Sequence, residues 1–349
     1  LGIMKTIWNH RSGLIEFSEQ PEPFVQSSDE VKIKVIYSTI GIQDLRLKRQ
    51  WDFYSKEGVA GYEMAGVITG VGSLAQNHGW QIGQAVSGTV VQFCGKCQAC
   101  KQHQEQNCLQ LRVKSGTLCP YIVWKDDQLV HLPTNISFAA GCLLEPVAVV
   151  KMAYNKLHVN DADRICILGG DFNGLVLLQL IKLYTQAFVV IVENKAKNKM
   201  LAQKFGADQI IDPLDTNFET ELLKLSDFIG FNKTVLTTSK YPELISTMIN
   251  STARGGLFLT TVYFDQQQQI AINSIKFFAM NLTIMSSFLY TKKLLQNTAT
   301  LLSQLDLKSL ICREFSFSAA LTAYSIEQKR LYPRIGIKVN DPDLLVYDE

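Results

Sequence analysis

A chain of 349 residues with 47% hydrophobic and 10% aromatic side chains holds enough apolar material for two cores rather than one. Its 34 basic and 32 acidic residues leave a net charge of +2 and are spread along the chain, which argues against a nucleic-acid or anionic-membrane partner. No run reaches the roughly 18 apolar residues of a membrane span, because the nearest, Phe138 to Val150, is interrupted by Glu145 and Pro146.

The beginning of the chain shows no secretory pattern, which gives the expectation of a soluble, cytoplasmic protein with reduced thiols. Residues 4 to about 90 read as short strands and turns. Val31 to Ile36 alternates apolar and polar side chains, the period of a half-buried strand. Gly58 to Gly72 holds five glycines among Val, Ile and Ala, which predicts tight corners between strands.

Four of the eight cysteines then fall within fifteen residues: Cys94, Cys97, Cys100 and Cys108, spaced C-x2-C-x2-C-x7-C. Thiolates so spaced can fold a short loop around one tetrahedral Zn²⁺, and four sulfur ligands leave no position open for chemistry. A structural zinc lobe is therefore predicted at about residues 92–110, one ion per chain. Lys96 and Lys101 inside the loop would offset part of the negative charge of such a centre.

After Pro146 the pattern changes to strands alternating with helices. Arg164 to Leu168 reads as a buried strand, Leu175 to Leu183 as a helix, and Phe188 to Val192 as a second buried strand closed by Glu193. Between the first strand and the helix lies Gly169-Gly170-Asp171-Phe172-Asn173-Gly174, a G-x-G-x-x-G turn with Asp171 at its second glycine. An acid about 20 positions beyond such a turn, within one βαβ unit, is the context of a dinucleotide-binding Rossmann fold. Gly206 is predicted to cap a helix ending near Lys204, before a strand over Gln209 to Ile211. Further strands are read at Lys233 to Thr238, Leu257 to Val262 and Leu282 to Met285. The glutamine run Gln266 to Gln269 reads as a loop. From about Phe288 the chain returns to the first domain and ends on a strand over Arg334 to Val339.

The cysteine lobe, C-G-x-C-x-x-C-x7-C, resembles that of the zinc-type medium-chain dehydrogenases: the alcohol, sorbitol and threonine dehydrogenases. The register holds over roughly residues 4 to 340, and Gly255-Gly256 before Leu257 resembles the family's turn into a late strand of its nucleotide domain. The resemblance implies an α/β protein with a GroES-like β-barrel domain, residues 4–152 and 290–349, and a doubly wound, parallel-sheet Rossmann domain, residues 153–289. It suggests oligomerisation through edge strands of the latter.

The resemblance also implies where a catalytic zinc would be held, and there the sequence departs from the family. Gly41 stands at the first ligand, which is normally Cys, in the run Gly41 to Arg46. Tyr62 replaces the ligand His in Gly61-Tyr62-Glu63. Glu145 in Leu144-Glu145-Pro146 keeps the third position. None of the five histidines falls on a family catalytic position. One or two carboxylates and a phenol make a poor zinc site.

Tyr62 can instead serve as a proton or hydrogen-bond donor to a substrate oxygen, beside Glu63 and Glu145. Asp44, Glu63 and Glu145 are equally explained as residues that order the backbone and cleft, and Tyr62 as one that fills the volume a metal holds in the family. In the glycine turn, Gly169 and Gly174 keep the pattern, whereas Asp171 would satisfy the helix amides itself and repel a pyrophosphate. If a dinucleotide binds, Glu193 is expected to take the ribose hydroxyls and favour NAD, with Lys195 weakening that preference.

Two readings stand on the residues alone. One is hydride transfer between NAD(H) and a small carbonyl or alcohol without a catalytic zinc. The other is a catalytically inactive scaffold of the same fold that binds a ligand or partner.

Overall fold

The computed structural model describes residues 2–45, 57–263 and 269–341. Arg46 and Gln266 to Gln268 of the glutamine run lie outside the described residues. The chain forms two compact units, Leu1–Pro146 with Tyr290–Glu349, and Val147–Leu289. The first boundary falls inside the helix Leu144–Leu157, in whose first turn Pro146 sits where its missing N–H is not needed.

The first unit is built on a seven-stranded mixed sheet. Its main path runs Leu129–His131, Ala85–Gly88, Met64–Val71, Glu30–Ile40, Arg334–Lys338 and Ile311–Ser316, and Tyr121–Lys125 pairs alongside Glu30–Ile40. Val31, Ile33, Val35, Met64, Ile68, Val86 and Ile122 pack together with almost no exposure. Burial of each such side chain stabilises the fold by about 1.5–3 kcal/mol.

The central strand outruns the alternation read from Val31 to Ile36. It continues through Tyr37, Ser38 and Thr39 because that stretch is paired on both sides, by Met64–Ala65 and by Ile335–Lys338. Polar side chains are tolerated there because they find partners, as when Ser38 Oγ donates to the Glu63 carbonyl at 2.7 Å.

The glycine-rich stretch corrects the expectation of corners. Gly66 and Gly70 lie within the strand Met64–Val71. A Cβ at Gly66 would fall on the Lys34 carbonyl and 2.8 Å from Ile33 Cγ2, so close strand approach sets that residue. Gly61, with φ +96°, does mark a turn.

In the second unit, strands and helices are numbered from its own start: β1 Arg164–Leu168, α1 Phe172–Tyr184, β2 Phe188–Val192, α2 Ala196–Lys204, β3 Gln209–Ile211, β4 Phe231–Leu236, β5 Thr252–Thr260 and β6 Thr283–Ser286. The six strands are parallel in the order β3-β2-β1-β4-β5-β6. This is the Rossmann order, with the topological switch point between β1 and β4. Ile165 to Leu168 and Val189 to Val192 are fully buried, which is why these strands read as unbroken apolar runs.

Two local readings change. Gly255 and Gly256 lie inside β5 rather than before it, where pairing with β4 jumps from Phe231–Thr252 to Lys233–Leu257. A bulge absorbs the extra residues, with Gly255 at φ +72°. The cap of α2 is Phe205, and Gly206 follows it at φ +90°.

Candidate functional site

The cysteine lobe is closed at its base by a two-stranded ribbon, Val91–Gln92 against Arg112–Val113. Between these strands, Cys97 heads the one-turn helix Gln98–Lys101, which turns Cys100 back toward Cys94. The sulfurs of Cys94, Cys97, Cys100 and Cys108 all lie within 4.8 Å of one another, and Cys94 Sγ is 4.0 Å from Cys100 Sγ. A tetrahedron with Zn–S bonds of about 2.3 Å has sulfur–sulfur edges of about 3.8 Å. The backbone N–H of Cys97 donates to Cys94 Sγ at 3.3 Å and that of Cys94 to Cys108 Sγ at 3.5 Å, as suits thiolates. These donors and distances fit a single soft ion.

The residues expected at the three catalytic-ligand positions lie in the first unit. Gly41 offers no donor, and a Cβ there would stand 2.8 Å from Gln43 Oε1 and 2.9 Å from Arg334 Nη1. The space beside it is filled by a guanidinium. Arg334 holds Glu63 in a two-pronged pair, Nε to Oε2 at 3.1 Å and Nη2 to Oε1 at 3.0 Å. Both side chains are buried, at 6% and 2% exposure. Thr39 Oγ1 also donates to Glu63 Oε2, and Gln43 Nε2 to Oε1 at 2.9 Å, so the Glu63 carboxylate is committed within the protein. Asp44, 1% exposed, accepts from the Gly41 N–H at 2.9 Å and orders that turn.

Tyr62 is half-buried. Near it, the buried Tyr324 hydroxyl has no hydrogen-bond partner, and burial, Asp44 and Tyr62 hold its phenol well above the usual range. Glu145 is half-buried, at the start of the helix Leu144–Leu157. Tyr290 donates to Glu145 Oε1 at 2.8 Å and stands 2.6 Å from Thr89 Oγ1, which accepts from the Val91 N–H at 2.9 Å. The chain of hydroxyls therefore points at the carboxyl. Burial pushes Glu145 up to about 7, against the opposing pull of the Tyr290 hydrogen bond.

Arg334, Tyr290 and Tyr324 were not picked out by sequence reasoning. An arginine heading the apolar strand Arg334–Lys338 was the one available signal, since it meets Glu63 across 271 residues of chain.

In the second unit the glycine turn follows β1. A Cβ at Gly174 would collide with the Gly169 carbonyl, and one at Gly169, φ +116°, would meet Thr237 Oγ1 at 2.7 Å. Both positions thus need glycine for close turn packing. Asp171 heads α1 but makes no side-chain capping hydrogen bond, which corrects the expectation that it satisfies the helix amides. Its Oδ2 lies 3.9 Å from Lys240 Nζ instead.

Glu193 is only 1% exposed. Oε1 accepts from the N–H groups of Asn194 at 2.8 Å and Lys195 at 2.9 Å, and Oε2 accepts from Gly170 N–H at 3.1 Å and Asn198 Nδ2 at 3.0 Å. It fastens the glycine turn to the end of β2. Lys195 Nζ is buried and has no hydrogen-bond partner. Burial and the neighbouring Lys240 lower its amine to about 8, opposed by Glu193 and Asp171. A glycine cradle beside a buried amine that lacks an acceptor fits an anionic nucleotide, although Asp171 intrudes at the second glycine.

The model of the alcohol dehydrogenase GroES-like domain matches residues 27–134, and that of the zinc-binding dehydrogenases matches residues 174–304. Sorbitol dehydrogenase of Bacillus subtilis (strain 168) is 25% identical over 324 residues, covering 90% of each chain. D-arabitol-phosphate dehydrogenase of Enterococcus avium is 28% identical over 227 residues, 62% of this chain and 64% of that one. Among solved structures, galactitol-1-phosphate dehydrogenase from Escherichia coli superposes with a TM-score of 0.84 at 21% identity, over 96% of this chain and 100% of that one. A zinc-binding dehydrogenase from Sinorhizobium meliloti 1021 bound to NADP does so at 0.87 and 18% identity, over 97% and 100%. At these identities the structural likeness speaks for the fold. No described helix is long and apolar enough to cross a membrane.

Proposed function

The chain belongs to the zinc-type medium-chain dehydrogenases, an oxidoreductase family with a GroES-like and a Rossmann domain, and we propose that it transfers hydride between a nicotinamide dinucleotide and a small carbonyl or alcohol with the cysteine-lobe zinc as its one metal. The observation that carries this reading is the donor set in the first unit. Gly41 supplies no ligand and is packed against the Arg334 guanidinium, Tyr62 offers a phenol where the family has an imidazole, and Glu145 is engaged by Tyr290. That set does not match the nitrogen, sulfur and carboxylate ligands of a catalytic zinc.

The glycine turn and the ends of β2 and β4 would hold the dinucleotide, which when bound supplies the hydride. The protein's own part is to handle a proton. With its carboxyl raised to about 7, Glu145 keeps a proton over much of the neutral range and can share it with a substrate oxygen. The Thr89–Tyr290 chain holds that carboxyl in one orientation. Tyr62 is the second candidate donor. The polyol-named relatives make sugar alcohols and ketoses the first substrates to try.

The test is turnover measured before and after treatment with a chelator, alongside zinc content. The expected outcome is turnover that persists at one zinc per chain and falls at least tenfold in Glu145→Gln. Turnover that needs a second zinc overturns the reading. Asp171, a carboxylate in the anion-binding turn, favours the alternative of a silent scaffold, for which no dinucleotide binding is expected.

A further inference from the structure

Glu193, the acid that closes β2, is in the position from which a Rossmann fold usually accepts the adenosine ribose hydroxyls. A carboxylate has about four acceptor sites. All are occupied here, by three backbone N–H groups and Asn198 Nδ2, in a side chain 1% exposed. Accepting a ribose hydroxyl would break a bond that holds the glycine turn. What the neighbourhood offers instead is positive charge. Lys195 lies two residues beyond Glu193 at the head of α2, and Lys240 lies in the loop after β4. These strands flank β1 at the switch point of the sheet, where doubly wound folds bind nucleotides.

The Lys240 amine is close enough to Lys195 to disfavour a second positive charge there. Lys195 Nζ has no acceptor, and the contact of Lys240 with Asp171, at 3.9 Å, is too long for a hydrogen bond. A buried ammonium without an acceptor, next to a second ammonium, is costly. The other charges around the pair are Glu193, already saturated, and Asp171; Asp212 and Glu243 face the neighbouring Tyr241. A ligand with two negative charges and three acceptor oxygens would relieve both amines.

Resting on the dinucleotide-dependent reading above, we propose that Lys195 and Lys240 form a seat for the 2′-phosphate of the adenosine ribose, so that the chain selects NADP(H) over NAD(H). This reverses the preference that the presence of Glu193 alone implies. Lys195 and Lys240 are then specificity-determining residues, and Glu193 is a positioning residue that holds the turn.

Calorimetric titration of the full chain with NADPH, NADH, 2′,5′-ADP and 5′-AMP tests the proposal without any turnover. NADPH should bind at least about tenfold more tightly than NADH, and 2′,5′-ADP more tightly than 5′-AMP, since each charge-assisted bond to phosphate is worth about tenfold or more. Lys195→Ala and Lys240→Ala should each lower affinity for the 2′-phosphorylated ligands about ten- to hundredfold and change NADH by less than about threefold. Lys195→Arg should keep the preference and, with circular dichroism, controls for folding. Affinity for 2′,5′-ADP should fall as pH rises through about 8, where Lys195 loses its proton, while that for 5′-AMP stays flat. Equal or tighter binding of NADH and 5′-AMP overturns the seat and leaves the dehydrogenase reading standing. Binding of 2′,5′-ADP with no binding of either dinucleotide supports the seat and overturns the dehydrogenase reading. No binding of any of the four overturns both.

Discussion

The Tyr290 hydroxyl donates to Glu145 Oε1 at 2.8 Å, and this bond orients a carboxyl that burial has pushed up to about 7. Because the pKa is higher in the folded than in the unfolded chain, the folded state holds this proton more tightly. The stability gained is complete below the ordinary value of 4.5 and is lost as pH rises through about 7. Glu145→Gln keeps an acceptor for Tyr290 and carries no charge. Its stability relative to the parent should therefore climb between those two pH values, by at most on the order of 3 kcal/mol, and then level off. Urea denaturation across that range measures it, and a difference independent of pH would show that Glu145 is not perturbed.

The buried pair Arg334–Glu63 should behave differently. Arg334→Met leaves the Glu63 carboxylate buried and without its cation, which costs about 3–5 kcal/mol. Combining it with Glu63→Gln should recover most of that loss, since removing both charges also removes their desolvation cost. A double variant as unstable as Arg334→Met alone would mean that packing against Gly41, not charge, explains the pair.

How much of this was legible in the sequence follows from chain separation. The four cysteines and the glycine turn are local signals, so their spacing alone indicated the lobe and the βαβ unit. The parallel strands were recognisable because burial on both faces makes them uniformly apolar, as in Val189 to Val192. Tyr290 and Arg334 meet their partners across 145 and 271 residues, and nothing in local pattern announces such contacts. The glycine pair at Gly255 and Gly256 read as a turn because a bulge within a strand uses the same residue. Glu193 was found, but whether its lone pairs were free depended on Asn198 and on the fold of the turn.

Asp171 stands at the second glycine position of the turn that, on the proposed reading, takes the pyrophosphate common to both dinucleotides. Two like charges about 4 Å apart cost on the order of 4 kcal/mol at an effective dielectric near 20, and Lys240 offsets part of this. Asp171→Gly should therefore tighten NADH and NADPH alike, by about tenfold or more. Calorimetry on both ligands checks this. An unchanged affinity would place the carboxylate outside the phosphate path.

The lobe should lose its ion when one ligand is removed. Cys97→Ser leaves three thiolates and an open tetrahedron, so zinc content should fall from one per chain toward zero and the ribbon Val91–Gln92 with Arg112–Val113 should become sensitive to protease. Full retention of zinc in this variant would mean that Cys97 is not a ligand.

The most direct measurement is the zinc content of purified protein whose turnover with a nicotinamide cofactor has been recorded on the same sample. One zinc per chain, turnover above background, and loss of that single zinc in Cys97→Ser are the expected results. Two zincs per chain, with turnover tracking the second, would contradict it.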